Sequence, residues 1–170
     1  MTPDFVTQIG EGFVGDGADA AHVNTVLGAL GGPIEGAWAG ALASPSAGHT
    51  PFMVVAQPGV AVKPLTLFVN KAPIAGDRHG ELTWGAAQAG VARGVIGALV
   101  QGVVDVALAD ELLLIVAAWV NPAASDADAV FANNRDATLA ALRAGATREP
   151  SLDRVMTIGD AVWNPYFRAR

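Results

Sequence analysis

Histidine is the side chain of this sequence best suited to acid–base chemistry near neutral pH, and the chain has three: His22, His49 and His79. Their spacing shows neither the i, i+4 helical pattern nor the carboxylate clustering of a zinc or iron site, so we expect no bound metal. The run from His79 to Glu81 matches the His-x-Glu of zinc deaminases, but those sites need cysteine ligands and the chain has no cysteine. We expect His49 and His79 to be surface loop residues. The common hydrolase, NTPase and dinucleotide-binding motifs are also missing from the sequence.

His22 stands apart because of the glycine-rich segment that leads to it. Residues 10–24 read GEGFVGDGADAAHVN, in which a strand and a turn bring the histidine onto the next strand. This segment resembles the formaldehyde-activating enzyme family. Two further blocks are similar to blocks of that family at separations that need no gaps, KPLTLFVNK at residues 63–71 and GAAQAGVA at residues 85–92. With a looser likeness through residues 112–120, the resemblance covers most of residues 8–145, whereas the tail at 147–170 is not clearly matched.

The resemblance implies a reaction, a fold and an assembly. The family condenses formaldehyde with tetrahydromethanopterin to give methylene-tetrahydromethanopterin and water, so the pterin is a co-substrate and no cofactor is covalently bound. The implied fold is a single-domain, two-layer α/β (α+β) sandwich like the second domain of ribosomal protein S5. The implied assembly is a homopentamer that binds the pterin between neighbouring subunits.

The resemblance also implies the residues of the site. The family's acid falls on His22, and its pterin-contacting positions fall on Asn24, Met53, Lys71, Pro73 and Gln88. His22, Lys71 and Gln88 match the family in type, whereas the family usually has Asp at position 24, Leu at 53 and Thr at 73. Asn24 keeps a hydrogen-bonding amide without the charge, and Pro73 has neither a side-chain donor nor a backbone N–H.

These departures leave a second hypothesis open, a non-catalytic homologue of the same fold that binds a pterin or an aldehyde. Each residue also has an ordinary structural interpretation. Taken alone, His22 is typical of a strand histidine and Met53 of a core residue. Lys71 taken alone is typical of a solvated charge at a strand end, and Gln88 of an amide on a helix surface.

The chemistry implied for His22 is general acid catalysis. Hydroxide leaves an N-hydroxymethyl amine with difficulty unless its oxygen is protonated, and a histidine of ordinary pKa can supply that proton near neutral pH. Loss of water then gives an iminium that the second pterin nitrogen attacks, so the pocket mainly orients two groups of one molecule. The mechanism requires neither a metal nor a redox cofactor.

The elements that must position these residues follow from sequence patterning. Strands are expected at about residues 5–14, 21–30, 52–56, 65–70 and 112–120, and the last of them reads as a central strand buried on both faces. Helices are expected from Pro33, over residues 84–104 with small residues packed against the sheet, and from about residue 125 to 145. The resulting order, β-β-α-β-β-α-β-α, predicts a mixed α/β layer.

Composition limits the class of protein. The 170 residues predict one domain, residues 1–170, and a net charge of −6 with two lysines argues against a nucleic acid partner. The N-terminus shows no signal peptide, and charges interrupt the apolar stretch at 91–120, so we expect a cytoplasmic protein without a membrane span. A hydrophobic fraction of 52% and a mean hydropathy of +0.38 exceed what a monomer usually carries, which predicts a homo-oligomer.

Overall fold

A computed structural model describes residues 5–165 and 167–168 of the chain. Its strands are, in chain order, β1 (Gln8–Val14), β2 (Ala21–Ala29), β3 (Phe52–Met53), β4 (Val55–Gln57), β5 (Val60–Ala61), β6 (Leu65–Asn70), β7 (Leu112–Trp119), β8 (Trp163–Asn164) and β9 (Phe167–Arg168). Its α-helices are α1 (Pro33–Ala43), α2 (Asp77–Glu81), α3 (Gln88–Val100), α4 (Ala127–Thr147) and α5 (Leu152–Ile158). A π-helical stretch, Leu82–Ala87, joins α2 to α3.

Five of these strands form the main sheet in the order β1-β2-β7-β6-β3. Neighbouring strands run antiparallel except β6 and β7, which are parallel because α2 and α3 cross over between them. Two short hairpins, β4–β5 and β8–β9, stand apart from this sheet. The predicted central position of the apolar run at residues 112–120 is confirmed, since β7 lies in the middle of the five strands.

Glycines let β1 lie directly against α4. A Cβ atom at Gly10 would overlap the backbone carbonyl of Ala141, and one at Gly12 would overlap the carbonyl of Ala137. The turn from β1 into β2 uses a further glycine, Gly15, whose φ of 89° lies in the left-handed region that favours glycine. The glycine-rich segment therefore serves both a close strand–helix contact and a turn.

The core lies between the sheet and the helices α3 and α4. Its fully buried side chains come from both layers and include Val23, Leu27, Phe68, Val91, Val95, Leu114, Val116 and Val130. Two glycines of α3 do not face the sheet as predicted. Gly90 and Gly94 face α4 instead, where a Cβ atom would stand 2.6 Å or less from the carbonyls of Phe131 and Arg135. Close helix–helix packing is thus the physical reason for these glycines.

The opposite face of the sheet is only partly covered. Ile115, Ala117 and Trp119 of β7 are half-buried on this face, whereas the residues that begin the strand are buried. The predicted burial on both faces is therefore wrong for the second half of β7. Among the described residues, α1 packs on this face only at the end of the sheet away from Trp119, where Ile34 contacts Gly28.

The predicted order of elements is confirmed, with three differences. The strand expected at 52–56 is divided into β3 and β4, because Val54 turns between them into the core. The helix expected from residue 84 begins earlier, at Asp77 after the positive-φ residue Gly76, and ends at Val100. The tail, for which no element was predicted, contains α5 and the β8–β9 hairpin.

The mixed α/β class is confirmed by this architecture. The likeness to ribosomal protein S5 and the single domain of residues 1–170 stay predictions. The expectation of no signal peptide falls on the N-terminus, of which residues 1–4 lie outside the described ranges. None of the helices in those ranges combines the length and hydropathy that a membrane crossing needs.

Candidate active site

The face of the sheet opposite α3 and α4 carries a row of polar and aromatic side chains at one end of the sheet. Glu11 and Phe13 alternate along β1 with the glycines that face α4, so both lie on this opposite face. The strand register pairs Glu11 with Asn24 and Phe13 with His22. It also pairs His22 with Trp119 across β2 and β7. The predicted β1–β2 hairpin therefore brings His22 and Asn24 beside Glu11.

Four side chains form a polar cluster on this face: Glu11, His22, Asn24 and Lys71. The imidazole of His22 has a neighbour at each nitrogen, since Nε2 lies 3.1 Å from Glu11 Oε1 and Nδ1 lies 3.5 Å from Lys71 Nζ. Lys71 Nζ also donates a hydrogen bond of 2.5 Å to Asn24 Oδ1. Because a carboxylate only accepts hydrogen bonds, we assign the imidazole hydrogen to Nε2 and the free lone pair to Nδ1.

Lys71 reaches this cluster across a whole strand. It follows β6, and its backbone N–H donates to the carbonyl of Ala118 on β7, which continues the β6–β7 ladder. β2 and β6 both flank β7, so they stand about 10 Å apart, twice the spacing of neighbouring strands. The four-carbon stem of lysine spans much of this gap. The small side chain of Ala117, level with Asn24 on β7, leaves room for it.

The turn after β6 is fixed by buried hydrogen bonds. Asn70 Nδ2 donates to the carbonyls of Gly48 and Ala72, at 2.8 and 2.7 Å. His49 Nδ1 donates to the backbone carbonyl of Asn70 at 2.9 Å. His49 lies in a loop as predicted, but it is half-buried and anchors the strand end that presents Lys71. This anchoring restricts where the Lys71 side chain can start.

The pKa values of His22 and Lys71 are shifted mainly by partial burial. Burial lowers the pKa of His22 below its ordinary 6.5, and the nearby Lys71 lowers it further, while Glu11 acts in the opposite direction. Burial also lowers the pKa of Lys71, and Glu11 again opposes the shift. Glu11 is therefore the group that favours the protonated forms of both neighbours. Neutral His22 is favoured at neutral pH.

A cavity of about 590 Å³ opens beside Glu11 and His22 of the cluster. Its lining combines aromatic and polar side chains, and consists of Glu11, Phe13, His22, Trp119, Trp163, Asn164 and Pro165. The ring of Phe13 lies 6.1 Å from that of His22. The last three lining residues belong to the β8–β9 segment, so the tail that matched no predicted element forms one wall. Aromatic walls around a few polar groups suit a planar heterocycle with hydrogen-bonding edges.

The structure brings together three of the six predicted site residues, His22, Asn24 and Lys71. Met53 lies on β3 opposite Leu67, four residues before Lys71 along β6. Gln88 begins α3 and is buried, and its Oε1 accepts a hydrogen bond of 2.7 Å from the backbone N–H of Val55. The interpretation of Gln88 as a helix-surface amide is therefore wrong.

Pro73 lies two residues beyond Lys71, where it is exposed and packs against Gly48. Within one chain, Met53, Gln88 and Pro73 do not line the cavity over His22, and neither do Asn24 and Lys71.

The third histidine has a structural role. His79 was expected on the surface, but its side chain is 2% exposed. Its Nδ1 accepts a hydrogen bond from the N–H of Ala75, and its Nε2 donates to the carbonyl of Val120, both at 3.0 Å. These bonds tie α2 to the end of β7. Within the described ranges, no group of three histidine, aspartate or glutamate side chains is arranged to hold a metal ion.

Sequence reasoning missed Glu11, Trp119 and Trp163. The sequence did contain a signal for Glu11. If residues 5–14 and 21–30 pair as a hairpin, side chains alternate along each strand, and Glu11, two positions before Phe13, lies on the same face as His22. The strand pattern of residues 112–120 assigns Trp119 to a particular face of the sheet only if the order of the strands is known. Trp163 lies in a tail whose pattern predicts no contact with the sheet.

Comparison with known proteins gives a consistent result. A family model described as "Formaldehyde-activating enzyme (Fae)" matches residues 9–167. The "5,6,7,8-tetrahydromethanopterin hydro-lyase" of Methanosarcina barkeri is 34% identical over 160 residues, covering 94% of this chain and 90% of that protein. The "Bifunctional enzyme Fae/Hps" of Archaeoglobus fulgidus is 33% identical over 159 residues. The chain spans 40% of the length of that bifunctional relative and 38% of one from Methanothrix thermoacetophila.

Proposed function

Because this chain belongs to the formaldehyde-activating enzyme family, we propose that it condenses formaldehyde with tetrahydromethanopterin to give methylene-tetrahydromethanopterin and water. Family membership and the hydro-lyase relative make it an enzyme of the hydro-lyase type. The structural observation that supports the proposal best is the histidine in an aromatic cavity, with Lys71 and Glu11 at its two nitrogens. The pyrimidine ring of the reduced pterin is a planar heterocycle of the kind that such a cavity suits.

We assign His22 the role of general acid. One pterin nitrogen attacks the carbon of formaldehyde, which gives an N-hydroxymethyl amine. Protonated His22 then donates from Nδ1 to the hydroxyl oxygen, the C–O bond breaks and water leaves, so that an iminium remains. The second pterin nitrogen attacks the iminium carbon and loses its proton. One formaldehyde and two N–H groups thus give an N–CH₂–N bridge and one water.

We assign Lys71 and Asn24 to binding. Lys71 offers an ammonium to a polar atom of the substrate, and Asn24 holds that ammonium through its Oδ1. The substitution of Asn for the family's usual Asp removes a charge, but the hydrogen bond to Lys71 is kept. Position 24 can therefore still orient Lys71, which favours retained activity.

We further propose that Met53, Pro73 and Gln88 contact pterin bound to the cluster of a neighbouring subunit in a homopentamer. The observation in support is that none of the three lines the cavity over His22 in one chain. Several apolar side chains are also left exposed on α1 and α5, among them Leu42, Leu152 and Met156. We infer one domain for residues 1–170, since β1 to α4 share one sheet and one core. A cytoplasmic location stays a prediction.

A second candidate is a non-catalytic protein that binds a pterin or an aldehyde. Two observations favour it, since Pro73 offers no hydrogen bond where the family usually has Thr, and Gln88 Oε1 is occupied by Val55. Both concern binding positions rather than the proposed acid. The two candidates differ in whether the protein accelerates a reaction that also proceeds without it.

Stopped-flow formation of methylene-tetrahydromethanopterin, with and without protein, tests the proposal. The wild-type chain should accelerate the reaction beyond its uncatalysed rate. His22→Ala should lower turnover by roughly 10²–10⁴-fold and leave pterin affinity within a few-fold, which is the pattern for loss of a general acid. Circular dichroism and sedimentation should show an unchanged fold and assembly.

Near-normal turnover of a folded His22→Ala protein would contradict the acid assignment. Pterin binding by the wild-type chain without any acceleration would favour the binding protein. Tetrahydrofolate in place of tetrahydromethanopterin gives the specificity arm of the same experiment.

A further inference from the structure

Glu11 lies nearer to the imidazole of His22 than Lys71 does, and neither the sequence patterns nor the proposed mechanism gives it a role. Its Oε1 lies 3.1 Å from Nε2, compared with 3.5 Å between Nδ1 and Lys71. The charge and distance make the contact to Glu11 the stronger of the two. The carboxylate therefore fixes both the ring orientation and the tautomer of neutral His22.

Fixing Nε2 leaves Nδ1 as the reacting nitrogen. The distance of 3.5 Å between Nδ1 and Lys71 Nζ is long for a hydrogen bond. An oxygen atom beside this pair can stand about 2.8 Å from both nitrogens, at ordinary hydrogen-bond length. A hydroxymethyl oxygen placed there would receive one hydrogen bond from Lys71 and the proton from Nδ1. The orientation set by Glu11 is the one that this geometry requires.

Charge gives Glu11 a second task. The described groups around His22 are Glu11 and Phe13 of β1, Asn24 of β2, Trp119 of β7, Lys71 after β6 and, across the cavity, Trp163, Asn164 and Pro165 of the tail. Lys71 is cationic and opposes a second positive charge on the imidazole, and Asn24 is neutral. Within the described residues, Glu11 is the carboxylate that acts on both His22 and Lys71. Protonation of His22 therefore depends on it.

We propose that Glu11 is a positioning residue for the acid, which holds Nε2–H of His22 and supplies the negative charge that lets Nδ1 carry a proton beside Lys71. This proposal rests on the proposed function of His22. It applies with particular force to this chain, because position 24 carries an amide in place of the carboxylate usual in the family. In a relative with an aspartate at that position, two carboxylates would share the task.

Two measurements on the full chain test the proposal separately. An NMR titration of the three histidine side chains reports the protonation of His22 without substrate. Glu11→Gln keeps an acceptor of the same shape, so the fold should persist, and the midpoint of His22 should fall by roughly one pH unit. Glu111→Gln is the matched control, since Glu111 is exposed at the opposite end of the sheet, and it should leave the midpoint of His22 unchanged.

The pH profile of turnover is the second measurement. Glu11→Gln should lower kcat about tenfold near neutral pH, with KM within a few-fold, and the loss should shrink as the pH falls. Adding Asn24→Asp to Glu11→Gln should restore part of the lost turnover, because it returns a carboxylate to the cluster. A merely structural role of Glu11 predicts neither the pH dependence nor the rescue.

Each outcome decides the matter. An unchanged midpoint of His22 in Glu11→Gln would overturn the proposal, and so would a shifted midpoint with wild-type turnover at every pH, provided that His22→Ala is inactive. If His22→Ala itself keeps full turnover, the acid assignment fails, and the titration alone then tells whether Glu11 controls the protonation of His22.

Discussion

At the scale of single residues, Lys71 and His22 should fail in different ways. Lys71 would hydrogen-bond the substrate oxygen before the proton moves from His22, so we expect it to contribute about equally to the ground and transition states. Lys71→Ala should weaken pterin binding by about 10–100-fold, the effect of losing a charged hydrogen bond, and change the rate of the bound complex less. Equilibrium binding and single-turnover rates separate the two effects.

Lys63 provides the control for this experiment. It pairs with Asp110 at 2.6 Å and precedes the other end of β6 from Lys71. Lys63→Ala should therefore leave binding and turnover unchanged. Equal losses in the two lysine variants would contradict a specific role for Lys71 and indicate a general effect of net charge.

The pKa of His22 makes turnover and stability respond to pH in opposite directions. Burial holds this pKa below 6.5, so protonated His22 is the minor form at neutral pH and its fraction grows as the pH falls. Turnover should rise on acidification until His22 is fully protonated. The folded state prefers neutral His22, so this group's contribution to the free energy of unfolding is lost as the pH drops through 6.5.

A pH profile of kcat and chemical unfolding at the same pH values checks this prediction. The His22→Ala variant removes the contribution of this histidine from both curves. A pH-independent kcat in the wild type would be incompatible with His22 as the acid.

Individual residues of the site differ in how far the sequence specifies them. The resemblance implied His22, Asn24 and Lys71. These residues meet in the cluster because the β1–β2 register and the β6–β7 pairing place their strands at the same end of the sheet. The contact between Glu11 and His22 depends on side-chain rotamers that no motif encodes. The cavity wall at Trp163 depends on where the tail folds back, which local patterning does not specify.

At the scale of elements, the contact of β1 with α4 should be sensitive to a single methyl group. A Cβ at Gly12 would overlap the carbonyl of Ala137, and backbone cannot move as freely as a flexible side chain. Gly12→Ala should lower the free energy of unfolding by about 3 kcal/mol, at the upper end of the range for overpacking. It should also displace Glu11 and Phe13, its neighbours in β1.

Gly36→Ala is the matched control. Gly36 lies within α1, where a Cβ would meet nothing within 4 Å. The alanine should raise the free energy of unfolding by up to about 1 kcal/mol, because it restricts the unfolded chain and favours the helix. Urea unfolding measures both variants, and similar losses in the two would refute the close strand–helix contact.

Element types were predictable wherever one face of an element is buried in the core. β2 and β7 follow their apolar patterns because Val23, Leu27 and Val116 pack in that core. Gly90 and Gly94 of α3 were assigned to the wrong neighbour, since a glycine indicates a close approach without identifying the partner. The break between β3 and β4 at Val54 is determined by tertiary contacts, and the early start of the helix at Asp77 by Gly76. Sequence periodicity specifies neither.

At the scale of the whole molecule, exposed apolar side chains indicate a surface that binds another subunit. Leu152 and Met156 of α5 are 74% and 70% exposed, and the indole N–H of Trp38 on α1 is buried without a hydrogen-bond partner among the described residues. Sedimentation should show a species with five times the 17.3-kDa mass of the chain. Diluting it to monomers should abolish pterin binding, whereas a monomer that binds pterin fully would refute the shared site.

The position of β7 determines when this site comes into existence during synthesis of the chain. Glu11, His22, Asn24 and Lys71 all precede residue 112, yet β2 and β6 have no contact with each other until β7 pairs with both. A nascent chain that stops before Leu112 contains every residue of the polar cluster and has no means of assembling it. The four residues of the polar cluster are therefore synthesised before the cluster can form, and they come together only after the ribosome has added β7, the strand that lies between β2 and β6.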